Sequence, residues 1–356
     1  MKNSVKLAAI FIASLLAPSQ AFAHLRWFVD VNSANAQRYQ EAARYFEFDL
    51  VYLFLFAASA GFAITAFTLD HLSRNNPLVG KLLGSPIHLP GHLEWRLVSL
   101  LLGFMMLMNS HHGMLLAPNL PTSGGFTFQA AIIVQFVVGL LFISQLSFVL
   151  SAIGTLCLAF ITVIITPADI MIDYVFEFAG VIIAFYLIGP SMSRIDQLLW
   201  PAASPRNKQL ATAVLAMTLG LQLAELAIHN KLMNPGLALM FIDDNGYLNF
   251  MRMLGLTSFK NMYFVFAGGI AELTLGLLLV LGVAVRFVSI GIGAIFTLTA
   301  VIFGVHELIG HIPIMAIVLL IALRGSDASL IPLLRTILRP DAGDSECIEN
   351  NGVLTT

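Results

Sequence analysis

Two adjacent histidines stand near the end of an apolar run, in the stretch "MMLMNSHHGM" at residues 105–114. Polar and ionisable side chains are costly in hydrocarbon, and at membrane depth they usually face a cavity or a partner. His111 and His112 are therefore candidates for a binding site. Methionines beside them would add thioether ligands, which shift the preference of such a site toward copper. The methionines of the stretch are Met105, Met106, Met108 and Met114.

Acidic residues recur at helical spacing in two later apolar stretches. Asp169, Asp173 and Glu177 follow one another four residues apart, which keeps them near one face of a helix. Glu225 and His229 are also four apart. Both sets of residues could have a purely structural role. The stretch "TPAD" ending at Asp169 forms a capping box with proline at the first helical position. Glu225 could form a hydrogen bond with His229 at a helix end.

Further candidates lie near the end of the chain. Glu272 sits inside an apolar stretch, where it could pack against a partner's amide or contact a proton or a ligand. His306 and His311 flank a helix break that we predict at Gly310 and Pro313. We therefore expect these two histidines on a loop or at a helix start, where interfacial water could satisfy them without a metal.

Imidazole and carboxylate ligands together suit zinc, iron, manganese, nickel or copper. Binding sites in helical bundles are commonly built from side chains on facing helices. If the polar side chains meet in one cavity, we expect a site for a transition metal such as copper. The candidate metal ligands are His24, His111, His112, Asp173, Glu225, His229, His306 and His311.

The composition indicates whether the chain is surrounded by water or by lipid. Of 356 residues, 58% are hydrophobic and only 11% are charged, which is typical of a multi-spanning membrane protein. The net charge of −2 provides no basic face for nucleic acid. Cys157 and Cys347 form no CxxC pair, and the sequence contains no P-loop, Rossmann glycine pattern or CxxCH haem motif. We assign no catalytic residue, and whether the protein is an enzyme stays open.

The first 23 residues have the pattern of a signal peptide. Lys2 and Lys6 precede a short apolar run, and Ala21 and Ala23 supply the small residues that a signal peptidase requires. Cleavage would leave His24 as the N-terminal residue, whose amine and imidazole form a chelating pair suited to copper. The alternative is an uncleaved first helix.

Nine later apolar stretches are close to the length that a bilayer demands, which predicts an all-α polytopic membrane protein. If the mature N-terminus lies on the non-cytoplasmic side, a minority of the basic residues lies on that side too. These are Lys231, Arg252, Lys260 and the basic residues before the first helix. Most basic residues fall inside, which predicts a bacterial inner-membrane protein with a cytoplasmic C-terminus. The predicted helices are 48–70, 95–117, 128–146, 147–165, 169–189, 209–231, 261–282, 285–305 and 309–324.

The second and sixth helices share a pattern, since Gly103 precedes His112 by nine residues and Gly220 precedes His229 by nine. The next helices align Gln135 with Glu272 and Gly139 with Gly276. We infer two copies of a four-helix unit after one unpaired helix, with a long outer connection near 232–260 in the second copy. The predicted domains are a signal peptide at 1–23, an outer segment, first helix and cytoplasmic connection at 24–94, four-helix units at 95–190 and 209–324, and a cytoplasmic tail at 325–356.

The second unit resembles the DoxX-type integral membrane proteins. The resemblance rests on "GGIAELTLGLLLVLGVAVR" at 268–286 and "GVHELIGHIPIMAIVLLIAL" at 304–323 and covers the last four helices. It implies a four-helix unit linked to membrane redox chemistry. If the whole protein is a redox subunit of this kind, Glu177 of the first unit and Glu272 of the second would contact a cofactor such as a quinone. This chain departs from the family by its extra helices, its signal peptide and its many histidines.

Three functions remain open from the sequence. The first is binding or handling of a transition metal on the periplasmic side, or metal-dependent redox work, with a periplasmic or membrane redox or metal-carrier partner. The second is a quinone-linked subunit of a membrane oxidoreductase. The third is a membrane scaffold whose polar cluster is structural. All three place the protein in the lipid bilayer.

Overall fold

The computed structural model describes residues 34–42, 49–117, 125–166, 171–200, 205–303 and 305–329. Within these ranges the chain is α-helical with short 3₁₀ and π segments and contains no β-strand. The nine long helices are α1 (Leu50–Asn75), α2 (Leu93–His111), α3 (Phe126–Ser144), α4 (Phe148–Ile165), α5 (Val175–Met192), α6 (Pro205–Ala227), α7 (Asn261–Leu281), α8 (Val285–Phe303) and α9 (Val305–Arg324).

All of these helices except α2 contain a stretch long and apolar enough to cross a membrane, which gives 8 candidate spans among the described residues. Helix α2 has 19 residues and carries Glu94 in its first turn, followed by Arg96. A helix pairs its own backbone amides, so it can lie in lipid without unsatisfied polar groups. The protein is an all-α polytopic membrane protein, as the apolar stretches predict.

Helices α2 to α9 form a closed ring. Each packs against the next along the chain, and α9 returns to pack against α2, while α1 lies outside the ring against α7. In the most apolar stretch of α1 only 22% of the residues are buried, whereas in that of α6 the share is 78%. Because α6 contacts α5, α7 and α9, polar residues on α6 have protein partners rather than lipid around them.

The helix ends alternate along the ring, so charged residues collect at two opposite ends. Most described cations lie at the end where α2 and α6 begin and α9 ends, which we call the basic end. The other end, where α6 ends and α5 begins, is called the opposite end. The cations of the basic end are Arg74, Lys81, Arg96, Arg194, Arg206, Lys208, Arg286 and Arg324.

A small cap covers the opposite end beside α7. It consists of the helices Ala34–Ala42, Gly236–Asp244 and Phe250–Met253 with the 3₁₀ turn Gly246–Leu248. Its core contains Phe241 and Ile242, which cluster with Phe264 and Val265 of α7. The long outer connection predicted near 232–260 is therefore an ordered, packed element.

The two glycine pairs aligned in the sequence occupy comparable contacts. A Cβ atom on Gly103 would lie 2.6 Å from the carbonyl oxygen of Gly139, and one on Gly220 would lie 2.5 Å from that of Gly276. The helix pairs α2–α3 and α6–α7 therefore approach each other through small residues, as membrane helices often do. The duplication of a four-helix unit itself stays a prediction.

Some helix boundaries differ from the predicted ones. Helix α1 begins after Asp49, whose carboxylate accepts hydrogen bonds from the Val51 amide and from the Tyr263 hydroxyl of α7. The Tyr263 hydrogen bond is the largest cause that lowers the pKa of Asp49. The predicted break at Gly310 and Pro313 is wrong, because α9 is continuous from 305 to 324 with Pro313 inside it.

Candidate functional site

Three predicted metal ligands converge at the opposite end, between α5 and α6. Asp173 lies in the turn before α5, Glu225 lies in the last turn of α6, and His229 follows one turn later. Their ligand atoms all lie within 4.8 Å of one another. The Nδ1 atom of His229 lies 3.4 Å from Oε1 of Glu225 and 4.0 Å from Oδ1 of Asp173. We call these three residues the Asp-Glu-His group.

The Asp-Glu-His group is only partly open to its surroundings. The Asp173 side chain is 2% exposed and the Glu225 side chain 13%, whereas that of His229 is 35% exposed. Two carboxylates this close together repel each other unless a proton or a cation lies between them. A tetrahedral zinc ion with ligand bonds of about 2.1 Å would separate its ligand atoms by about 3.4 Å. The group would therefore need to contract by about an ångström around such an ion.

Gln222 fixes the position of the group. Its side-chain oxygen accepts hydrogen bonds from the backbone amides of Phe176 and Glu177, at 3.2 and 3.3 Å, in the first turn of α5. Its side-chain amide lies 3.4 Å from both Oε2 of Glu225 and the carbonyl oxygen of Ile172. Gln222 therefore satisfies amides that a helix start leaves unpaired and holds α5 against α6. Gln222 was not among the predicted site residues, although its spacing from Glu225 and His229 places all three on one helical face.

Helix α6 ends in a π-helix, Ile228–Met233, that carries His229 and Lys231. A π-turn widens the helix locally, and such turns occur frequently at functional sites. His229 points toward Asp173 beside α5, whereas Lys231 reaches α7 on another side of α6. The widened turn thus directs two ionisable side chains to two different neighbours.

Two further polar residues, Glu177 and His311, lie within electrostatic range of each other. Glu177 lies one turn after Asp173, and its carboxylate interacts electrostatically with the His311 imidazole of α9. His311 is 1% exposed and its ring lies 4.7 Å from that of Phe296. His311 is therefore a buried residue inside a helix, and neither on a loop nor at a helix start as the sequence predicted.

His111 and His112 are not brought to the Asp-Glu-His group. Both are exposed at the end of α2, their rings lie 5.2 Å apart, and Nδ1 of His112 lies 2.8 Å from the carbonyl oxygen of Met108. Met105 and Met106 belong to the hydrophobic core. Among the residues that the structure describes, the one cluster of at least three potential ligands is the Asp-Glu-His group.

Glu272 has a different partner from the one considered in the sequence analysis. Its carboxylate forms an ion pair with Lys231, and both side chains are fully buried. The sequence predicts Lys231 at the end of the helix 209–231, on the outer side of the membrane, and gives no partner for it; in the structure its side chain points inward to Glu272. Gly269 makes room for it, since a Cβ atom there would lie 3.0 Å from Cβ of Lys231.

Three sequence predictions fall outside the described part of the chain. His24 and Asp169 lie in ranges whose placement is not described, and the side chain of His306 is also not described although its backbone belongs to α9. The signal peptide at 1–23 and the tail from 330 onward are likewise outside these ranges.

Comparison with family models, with curated proteins and with solved structures gave no match. The resemblance of the last four helices to the DoxX-type proteins therefore stays a prediction.

Proposed function

We propose that this multi-pass membrane protein binds a divalent transition metal through Asp173, Glu225 and His229. The observation that supports the proposal is their convergence from the α4–α5 connection and from α6, with ligand atoms within 4.8 Å of one another. Three protein ligands leave a coordination position open for water or an incoming molecule, as in catalytic zinc sites. Such a site is compatible with two roles, which are handling of the metal ion and metal-dependent chemistry at the open position.

The ligand types indicate which ions the group would prefer. One imidazole nitrogen and two carboxylate oxygens suit zinc, manganese or ferrous iron. The predicted preference for copper depended on His24 and on methionines beside His111 and His112, whereas the Asp-Glu-His group supplies only imidazole and carboxylate, and Met105 and Met106 pack in the hydrophobic core. We therefore propose zinc, manganese or ferrous iron ahead of copper.

The distribution of basic residues supports an orientation for the site. Loops on the cytoplasmic side of bacterial membrane proteins are enriched in lysine and arginine. We infer that the basic end faces the cytoplasm and that the Asp-Glu-His group faces the periplasm. A metal would then be bound from the periplasm.

The quinone-linked subunit is the second candidate function. The observation that favours it is that half-buried Glu177 lies within electrostatic range of buried His311, because a carboxylate and an imidazole near each other could exchange protons with a quinone head group. In that case the protein would carry quinone when it is purified, whether or not it carries metal.

Elemental analysis of the detergent-purified protein tests the proposal. We expect about one transition-metal ion per chain after incubation with zinc or manganese and removal of excess, and loss of that ion in the variant His229→Ala. The double variant His111→Ala/His112→Ala is the matched control, because its histidines lie at the end of α2 outside the group, and it should keep the ion. Metal retained by His229→Ala, or lost only in the control, would contradict the proposal. Mass spectrometry of extracted quinones tests the second candidate on the same samples.

A further inference from the structure

The basic end contains a second polar cluster, far from the Asp-Glu-His group. Lys208 lies in the first turn of α6, about 30 Å along that helix from His229. Arg324 ends α9, and His92 and Glu94 lie at the start of α2. These elements meet because α9 packs against both α2 and α6.

Each cation of this cluster contacts a histidine. Arg324 forms a buried ion pair with Glu94, and its Nη1 atom lies 2.6 Å from Nδ1 of His88. The Nζ atom of Lys208 lies 3.0 Å from Nε2 of His92. Because guanidinium and ammonium groups only donate hydrogen bonds, both imidazoles accept at these nitrogens and carry their proton on the other one. Burial, followed by the charge of Lys208, lowers the pKa of His92, in agreement with a neutral ring.

Among the described residues of this cluster, positive charge exceeds negative charge, with Arg324 and Lys208 against Glu94. Glu94 is the carboxylate that interacts with both Lys208 and Arg324, and Arg96 adds a further positive charge near His92. The Nε atom of Arg324 and the indole nitrogen of Trp95 are buried donors without a hydrogen-bond partner among the described residues. A partly buried site with unbalanced positive charge attracts anions.

An apolar groove on the outside of the ring has lining residues within one helical turn of this cluster. The groove lies between α2, α8 and α9 and has a volume of about 350 Å³. Leu97, at its basic end, is one turn from Glu94, and Ala322 is two residues before Arg324. Ile290 and Leu319, which line it, are 57% and 46% exposed, so the groove opens toward lipid.

We propose that the protein binds an anionic phospholipid at the basic end, with an acyl chain in the groove between α2, α8 and α9 and the phosphate group at Arg324, Lys208 and their histidine partners. Basic pockets between transmembrane helices are known to hold anionic head groups. Charge complementarity and the closeness of the apolar groove to the cations, with Ala322 two residues before Arg324, both favour a lipid over a small anion. This site does not depend on metal binding.

Native mass spectrometry of the full chain in neutral detergent tests the proposal with added phosphatidylglycerol or phosphatidylcholine. We expect phosphatidylglycerol adducts and far fewer adducts of phosphatidylcholine. Lys208→Gln should weaken phosphatidylglycerol binding about fivefold by removing one positive charge near the lipid phosphate. Gly293→Leu should reduce it by filling the groove, because Gly293 lines the groove with no side chain of its own.

Two control variants separate the site from general effects. Lys81→Gln removes an exposed cation at the same end. Ala63→Leu fills a second apolar groove of about 350 Å³, between α1 and α7, whose lining contains no cation. Both should bind phosphatidylglycerol like the parent protein. Equal binding of the two lipids, displacement of phosphatidylglycerol by inorganic phosphate at equal concentration, or equal loss in the test and control variants would overturn the proposal.

Discussion

Lys231 donates a hydrogen bond to Glu272 across the interface between α6 and α7, and neither side chain is exposed. A buried ion pair compensates two charges that would each be very costly alone. The pair joins the π-helix, which also carries His229, to the middle of α7. The end of α6 is therefore held from two sides, by Lys231 toward α7 and by the Asp-Glu-His group toward α5.

Removing one partner of this pair should destabilise the protein strongly. We expect Lys231→Met or Glu272→Gln to lower the free energy of unfolding by about 3–5 kcal/mol, because each leaves a buried polar group uncompensated. The double variant Lys231→Met/Glu272→Leu should recover much of that loss. Thermal unfolding in detergent checks this, with exposed Lys81→Met as control; a double variant no more stable than the singles would contradict it.

The close glycine contacts predict which helix positions reject a methyl group. Gly220→Ala would place its Cβ atom 2.5 Å from the Gly276 carbonyl oxygen, and Gly103→Ala would place one 2.6 Å from that of Gly139. Each should cost about 1–3 kcal/mol of stability through overpacking. Gly291→Ala in α8 is the control, since nothing lies within 4 Å of its Cβ position. Melting temperatures that fall equally in all three variants would disprove the tight contacts.

Gln222 should control metal affinity without being a ligand. Replacing it by methionine removes the hydrogen bonds to Glu225 and to the first turn of α5. We expect zinc affinity to decrease about 10–100-fold, as for other residues that orient metal ligands. Gln145→Met is the matched control, because Gln145 bonds Arg96 at the basic end. Isothermal titration with zinc measures both variants, and unchanged affinity in Gln222→Met would show that the residue does not orient the ligands.

The basic end should lose stability as the pH falls. Burial and Lys208 lower the pKa of His92, so the folded protein binds fewer protons there than the unfolded chain does. Stability from this residue is therefore present above about pH 6.5 and is lost as the pH decreases below it. His92 has a left-handed φ of 58°, which asparagine tolerates. Between pH 7.5 and 5.5, the melting temperature of His92→Asn should fall less than that of the parent protein. The variant His71→Asn, at an exposed position, is the control and should behave like the parent. Equal decreases in melting temperature in all three proteins would refute this prediction.

The helices were predictable because the bilayer constrains them so strongly. An apolar run of sufficient length has one solution in lipid, a helix with its backbone paired internally. All nine predicted runs correspond to helices in the described ranges. Boundaries were harder, because they depend on contacts from other helices. Helix α2 ends at His111, earlier than predicted, and Gln135 of α3 then accepts a hydrogen bond from the Leu116 amide and donates one to the Met114 carbonyl oxygen.

The candidate site was only partly predictable for the same reason. The spacing of Glu225 and His229 predicts their proximity, since residues four apart are neighbours on a helix. The approach of Asp173 depends on the packing of α5 against α6, which the sequence does not specify. His112 follows a glycine by nine residues, as His229 does. Among the described residues, however, neither His111 nor His112 belongs to a group of potential metal ligands. The pairing of Lys231 with Glu272 was not predicted, because the two residues lie 41 positions apart on different helices.

X-ray absorption at the zinc edge of the zinc-loaded protein tests the metal site most directly, because it reports the ligands themselves. We predict one imidazole nitrogen and carboxylate or water oxygens at about 2.0–2.2 Å from the zinc ion, with the imidazole signal lost in His229→Ala. A spectrum with two or more imidazoles or with sulfur ligands, unchanged in His229→Ala, would contradict it.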